Sequence, residues 1–420
     1  MKNTTLSELS SEQQLALDLM RSGENVFLTG GAGSGKSYVV RELTKELDPK
    51  NMPILASTGA AAVLLGGRTF HSFFGLGIME GGPDATYLRV SKDNKTLKRI
   101  AQVEGIIIDE ISMISGEAFT IAEALAQKAR GSTLPWGGLR LICVGDFGQL
   151  PPVMRNFTNQ PNQKKDWCFL TEAWKRTDPQ VCILKHNQRV VDNEFLNILS
   201  EIRYGQVNPA VVEFLNDHTK VHDEDHSGTR LFPRREQSEN YNQKKLSEIS
   251  EKEIEFDSIY FGDEKYVTAM KKSSPVPEKL KLKIGCRVLF LKNDMQKRWV
   301  NGTRGTLVDY DKESLTVRKD HGREVKVERM TFSMTDADGN PKASVIQYPL
   351  TLAYATTIHK SQGATLDELW CDLSSLWEPG QAYVALSRLR TPQGLHIVRW
   401  NPRSIIVDRD VIRFYQDIKT

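Results

Sequence analysis

The chain is poor in cysteine, lacks long hydrophobic runs and carries almost no net charge for its 420 residues. Its five cysteines, Cys143, Cys168, Cys182, Cys286 and Cys371, are scattered and odd in number, with no Cys-x-x-Cys pair. That pattern argues against a disulfide framework or zinc site and for buried free thiols. No apolar run approaches the ~18 residues of a membrane span. Met1-Lys2-Asn3-Thr4-Thr5 has neither a hydrophobic signal core nor an Arg-rich transit character, so a cytoplasmic protein without a membrane partner is expected. Repeats and low-complexity tracts are missing too. The segment His222-Asp223-Glu224-Asp225-His226 reads as a solvated acidic loop rather than a metal site.

With 39% hydrophobic and 26% charged residues, the chain can build two or three domains with their own cores. The net charge of +3 points to no polyanion by itself, but its distribution is uneven. Between Met270 and Arg304 ten Lys or Arg face only Glu278 and Asp294. From charge alone this is equally a solvated face or a nucleic-acid contact.

Apolar strands alternate with helical stretches from residue 25 onward: Asn25–Leu28, Pro53–Ala56, Gly105–Ile108 and Leu139–Val144. A second series comprises Cys182–Leu184, Thr229–Phe232, Leu369–Leu373 and Leu395–Trp400. This alternation predicts an α/β protein of parallel sheets with helices on both faces. From about Glu253 to Lys342 short runs separated by Gly-Asp, Asn-Gly, His-Gly and Asp-Gly turns predict a small inserted all-β module.

Gly30-Gly31-Ala32-Gly33-Ser34-Gly35-Lys36-Ser37 matches the phosphate loop G-x-x-x-x-G-K-[ST], with a strand before it and a helix after. Backbone N–H groups of Gly31, Ala32, Gly33, Ser34 and Gly35 can cradle ATP phosphates at a helix N-terminus. Lys36 reaches the β and γ phosphates and the Ser37 hydroxyl ligates Mg²⁺. Gly105-Ile106-Ile107-Ile108 ends in Asp109-Glu110, which suits Asp109 to Mg²⁺ binding and Glu110 to activating water. Gln149, in Gly145-Asp146-Phe147-Gly148-Gln149-Leu150-Pro151-Pro152, can orient that water. These parts alone define a P-loop ATPase. A binding switch or metabolic kinase would have no use for the basic β insertion or for two further strings, Ala355–Gly363 and Tyr383–Arg388.

Those two strings, with Gln13, Ala56–Ala62, Thr69–Phe73, Asp109–Met113 and Gly145–Pro152, resemble the Pif-one (petite integration frequency) family of superfamily 1B helicases. RecD and Dda helicases are similar at a further remove. The resemblance runs from Gln13 to about Trp400, and its most specific piece is Leu282–Val288 with Val300–Gly305. It implies two RecA-like domains, at 1–175 and at 176–252 with 343–420, a wedge subdomain at about 75–97, and an SH3-like insertion at 253–342. It implies an ATP-dependent DNA helicase moving 5′ to 3′ on single-stranded DNA and acting at single-strand/duplex junctions. Family roles lie in replication, repair, recombination and genome or telomere maintenance, some on G-quadruplexes. An RNA helicase would share the same ATP site.

By the same resemblance Gln13 reads adenine, Gly363 belongs to the nucleotide site, and Arg189 and Arg388 are arginine fingers. Thr58, Gly59, His71, Asn293, Asn301, Thr357, His359, Lys360 and Ser361 face DNA. Phe73 and Phe74 lie at the wedge, though ordinary core packing is the simpler expectation for them. After Arg189 the family carries Gln where this chain has Val190. A monomer off DNA, from a bacterial or viral source, is expected.

Overall fold

Strand β1 (Val26–Gly30) is buried throughout because both of its faces are covered. Phe27 points into one core, with Phe147, Trp167 and Trp174, while Val26 and Leu28 point into another, with Val39, Leu43 and Ile142. The computed structural model describes residues 9–57, 68–77, 79, 81–153, 165–220, 228–335 and 341–418. Thr58, Gly59 and residues 222–226 lie outside them.

Five further strands complete the first sheet: β2 (Ile54–Ala56), β3 (Arg68–Thr69), β4 (Gly105–Ile108), β5 (Arg140–Val144) and β6 (Gln180–Leu184). All pairings are parallel, in the order β3-β2-β4-β5-β1-β6. Helices α1 (Ser11–Arg21) and α2 (Lys36–Thr44) pack on this sheet, α1 starting at a capping box between Ser10 and Gln13. The expected boundary at residue 175 is therefore corrected. β6 runs beside β1 from Val26↔Gln180 to Gly30↔Leu184 and belongs to the first lobe. An apolar run carries no label saying which sheet it joins.

The second lobe has four parallel strands in the order Ala355–Thr357, Thr229–Phe232, Leu369–Asp372, Leu395–Arg399. Its core begins at Val190, which is buried there with Phe195, Ile198 and Ile202. The apolar residue following Arg189 thus anchors the start of the lobe. The chain then returns. Helix Arg409–Asp417, placed in the second lobe from sequence, buries Val411 and Tyr415 in the first lobe's core. This is a second correction, since one turn of apolar residues fits either core.

The β insertion has a five-stranded antiparallel sheet ordered Glu324–Glu328, Ser314–Lys319, Arg304–Tyr310, Arg287–Phe290, Leu350–Leu352. Its core takes in Tyr348, Leu350 and Leu352, so the module extends past the expected limit at 342. Glu324–Glu328 alternates exposed and buried residues, as its sequence does. Phe73 and Phe74 are buried in the first core, and helices Gly82–Val90 and Asn94–Gln102 follow them. Among the described residues the cysteines are free thiols, no three metal-ligating side chains cluster, and no helix is long and apolar enough to cross a membrane.

Candidate nucleotide and nucleic-acid site

The phosphate loop leaves β1 at Gly30 and enters α2 at Lys36. Gly33 (φ +82°) and Gly35 (φ +89°) adopt left-handed backbone and are closely covered. A Cβ at Gly33 would stand 2.7 Å from Arg189 Cβ, and one at Gly35 would stand 2.3 Å from Gln13 Nε2. Asn187 Nδ2 donates to Ala32 O at 2.7 Å, and the Gln188 amide to Gly33 O at 2.8 Å. Lys36 Nζ donates to Gly30 O (2.9 Å) and Gly31 O (3.1 Å), so its ammonium lies folded over the loop. Burial holds it below the usual lysine range, against the pull of Asp146, Glu110 and Asp109. Ser34 Oγ is buried with no hydrogen-bond partner among the described residues. A cationic loop with an unused buried hydroxyl and a helix N-terminus behind it fits the phosphates of ATP.

β4 delivers Asp109 and Glu110 to the same edge of the sheet. The Glu110 amide donates to Asp109 Oδ1 at 3.0 Å, and Glu110 has φ +54°. That left-handed backbone costs roughly 1 kcal/mol or more for a non-glycine residue and aims the carboxylate into the cleft. Burial, then the Asp109 charge, push the Glu110 carboxyl up to about 7. Burial raises Asp109 as well. Two adjoining carboxylates, with the Ser37 hydroxyl in the first turn of α2, offer hard oxygen donors of the kind that suit Mg²⁺.

The second lobe completes the cleft. Gln362 Nε2 donates to Glu110 Oε2 at 3.2 Å and to Gln149 Oε1 at 3.3 Å. Arg189 Nη1 donates to Ser387 O at 2.8 Å and its Nη2 to Gly363 O at 3.4 Å. Arg388 is 1% exposed; Nε donates to Val384 O, Nη1 to Ser361 O and Nη2 to Ser387 Oγ. Burial, then Arg189, push its guanidinium down to about 9, while Glu110 pulls it up. Both arginines therefore lie within electrostatic reach of Glu110 across the cleft.

Beneath the cleft lies a buried network that sequence reasoning missed. Asp146 Oδ1 accepts from Arg203 Nη2 (2.6 Å), Arg203 Nε (3.1 Å), Tyr415 Oη (3.0 Å) and the Gly148 amide (2.9 Å). Arg203 comes from helix Asn193–Arg203 of the second lobe, and its guanidinium sits 4.5 Å from the Tyr415 ring centroid. Tyr415 Oη also meets Thr29 Oγ1 at 3.0 Å and accepts the Phe147 amide at 2.9 Å. Asp146 and Gln362 stood in recognised strings and were findable as strand-end or motif polar residues. Arg203 and Tyr415 give no local signal.

Of the residues expected to face DNA, Thr357, His359, Lys360 and Ser361 share one turn. The hydroxyls of Thr357 and Ser361 are buried and used locally, by the Lys360 amide and by Ile358 O. They shape the turn, and Lys360 is its exposed cation. His359 Nε2 lies 3.4 Å from Glu378, which also binds Lys165 of the first lobe at 3.1 Å. His71 is half-buried on helix Phe70–Phe73 of the first lobe. Asn293 Oδ1 accepts the Asn301 amide at 2.7 Å, closing the loop between them, where Met295 and Val300 are exposed.

The basic segment of the insertion is largely neutralised. Lys271 pairs with Glu278, Lys279 and Lys281 with Glu255, Arg287 with Asp320, and Arg298 with Asp294. Glu278 and Asp294 are the segment's own carboxylates, whereas Glu255 comes from the neighbouring strand Ile254–Asp257.

The PIF1-like helicase family model matches residues 8–213. The chain is 65% identical to the ATP-dependent DNA helicase Pif1 of Bdellovibrio bacteriovorus, over 98% of this chain and 92% of that protein. Its structure matches that of a Bacteroides sp. Pif1 in complex with ADP-AlF4 with a TM-score of 0.85 and 32% identity, covering 98% and 97% of the two chains. A Bacteroides Pif1 bound to single-stranded DNA matches at a TM-score of 0.69 and 31% identity over the same shares.

Proposed function

Since the chain belongs to the PIF1-like helicase family, we propose that it converts ATP hydrolysis at this cleft into 5′-to-3′ movement along single-stranded DNA. The activity is that of an ATP-dependent DNA helicase. One observation carries the assignment of roles: Gln362, from the second lobe, touches both Glu110 and Gln149 of the first, so the pocket is shared between two bodies.

In this reading the phosphate loop and Lys36 hold the triphosphate, and Gln13 packs against the loop at Gly35 beside the base. Asp109 and Ser37 would hold Mg²⁺, which supplies charge neutralisation of the phosphates. Glu110, with a carboxyl near neutrality, takes a proton from the attacking water, which Gln149 orients. Arg189 and Arg388 turn from the carbonyls they now bond toward the transferring phosphoryl group. Such fingers contribute ~10³–10⁵ in rate. Closure on ATP and opening after hydrolysis shift the Thr357–Ser361 turn relative to His71, and single-stranded DNA gripped by both moves stepwise. A motor that moves along any sequence holds its track through phosphates and base stacking. Duplex separation at the junction falls to the 75–97 region.

Unwinding of 5′-tailed against 3′-tailed duplexes tests this, with Lys36→Ala as the ATP-site control. Unwinding of the 5′-tailed substrate alone, lost in the variant, is expected. Preference for the 3′ tail overturns the polarity, and greater ATPase stimulation by RNA than by DNA overturns the substrate.

A further inference from the structure

Tyr383 has no part in the machinery above, yet its hydroxyl makes a short polar contact between the second lobe and the phosphate loop. The Ala32 amide donates to Tyr383 Oη at 2.7 Å, and a Cβ added to Gly31 would meet that oxygen alone, at 3.2 Å. Tyr383 is buried on the short helix Gln381–Leu386. The helix is fixed at both ends. Gly380, at its start, is so close to the Gln149 loop that a Cβ there would stand 2.2 Å from Gln149 O. At its end the Ser387 amide donates to Tyr383 O at 2.9 Å, and Ser387 bonds both Arg189 and Arg388. The hydroxyl and the two arginines are therefore tied to one short helix, whose start packs against the Gln149 loop.

We propose that Tyr383 is a positioning residue that registers the arginine-bearing helix on the phosphate loop, so that filling the loop with nucleotide sets where Arg388 can reach. The inference rests on the helicase reading of the cleft. A phenol can accept the Ala32 N–H and donate its own proton to a phosphate oxygen together, so one atom bridges loop, nucleotide and second lobe. The ring fills the space under the helix, while the oxygen carries the registration.

Two variants isolate that oxygen. Tyr383→Phe keeps the ring and removes the contact. Gly31→Ala adds a methyl that meets only the hydroxyl. A charge-assisted hydrogen bond is worth enough that each should lower DNA-stimulated kcat about tenfold or more. Binding of a fluorescent ATP analogue should change less than about threefold, on the scale of a minor contact, well short of the loss in kcat. The combined variant should be no slower than Tyr383→Phe alone, because the added methyl then has nothing to displace. Melting curves report whether each variant folds, and Gly31→Ala stands in if Tyr383→Phe does not. An unchanged kcat in folded Tyr383→Phe, equal loss of analogue binding and kcat, or additive effects in the combined variant would each overturn the role. If the unaltered protein shows no DNA-stimulated turnover, the helicase reading fails instead.

Discussion

Replacing Arg203 with Met tests whether the buried pair beneath the cleft is a structural tie between the lobes. The substitution keeps the stem and removes the guanidinium, leaving Asp146, which is fully buried, to Tyr415, the Gly148 amide and the field of Lys36. Removing one member of a buried ion pair costs ~3–5 kcal/mol, because the remaining charge is left without compensation. The ligands retained by Asp146 place the expectation near the lower limit, about 3 kcal/mol. That is a large share of the roughly 5–15 kcal/mol that holds a domain folded. Urea unfolding followed by the fluorescence of Trp136, Trp167 and Trp174, all in the first lobe's core, reads the loss.

The sign with pH is also fixed. Burial alone would raise the Asp146 carboxyl; Arg203 and Lys36 outweigh it and hold the group below the usual range. In the unaltered protein the pair's contribution is present above the ordinary aspartate range and lost as pH falls through the depressed value. In Arg203→Met the carboxyl rises, so protonation relieves the uncompensated charge. The penalty should therefore shrink between pH 8 and pH 5. Adding Asp146→Asn should recover part of it at pH 8. A penalty under about 1 kcal/mol, or one equal at both pH values, would refute the argument.

Three more outcomes can be checked. Glu110→Gln should abolish turnover while sparing ATP binding. It should also raise stability at pH 8, because a carboxyl raised to about 7 destabilises the fold once ionised; in the unaltered enzyme, turnover should climb as pH passes about 7. Arg388→Ala should lower kcat by at least ~10³ with ATP affinity nearly intact, since its present partners are carbonyls and a hydroxyl of its own lobe. Equal loss of both would remove it from the finger role. Lys279→Gln with Lys281→Gln should leave the salt dependence of DNA binding nearly unchanged, because both ammoniums already face Glu255, and a slope lower by about two would show that they contact phosphates.

The phosphate loop and the β4 carboxylates were legible because their chemistry is local. A tight turn needs glycine, a buried strand needs an apolar run, and both end where the sheet binds ligands. What escaped is what depends on the return path of the chain. Nothing in Gln180–Leu184 shows that it pairs with β1 rather than with Thr229–Phe232, and Tyr415 acquires its role only by lying against Asp146. The surroundings of the insertion's cations escaped for the same reason. Lys281 is prominent in a linear count, while its partner Glu255 comes from another strand and Glu253 from the residue just before it.

The return of helix Arg409–Asp417 to the first lobe also bears on synthesis. Phe147, Phe169 and Trp174 wait for Phe414 to cover them, and Asp146 for Tyr415. A ribosome must therefore translate both lobes and the insertion before the nucleotide lobe can seal its interior. Until then that half exposes aromatic surface of the kind chaperones bind. Removing helix Arg409–Asp417 should unsettle ATP binding more than it disturbs the lobe in which residues 395–405 reside.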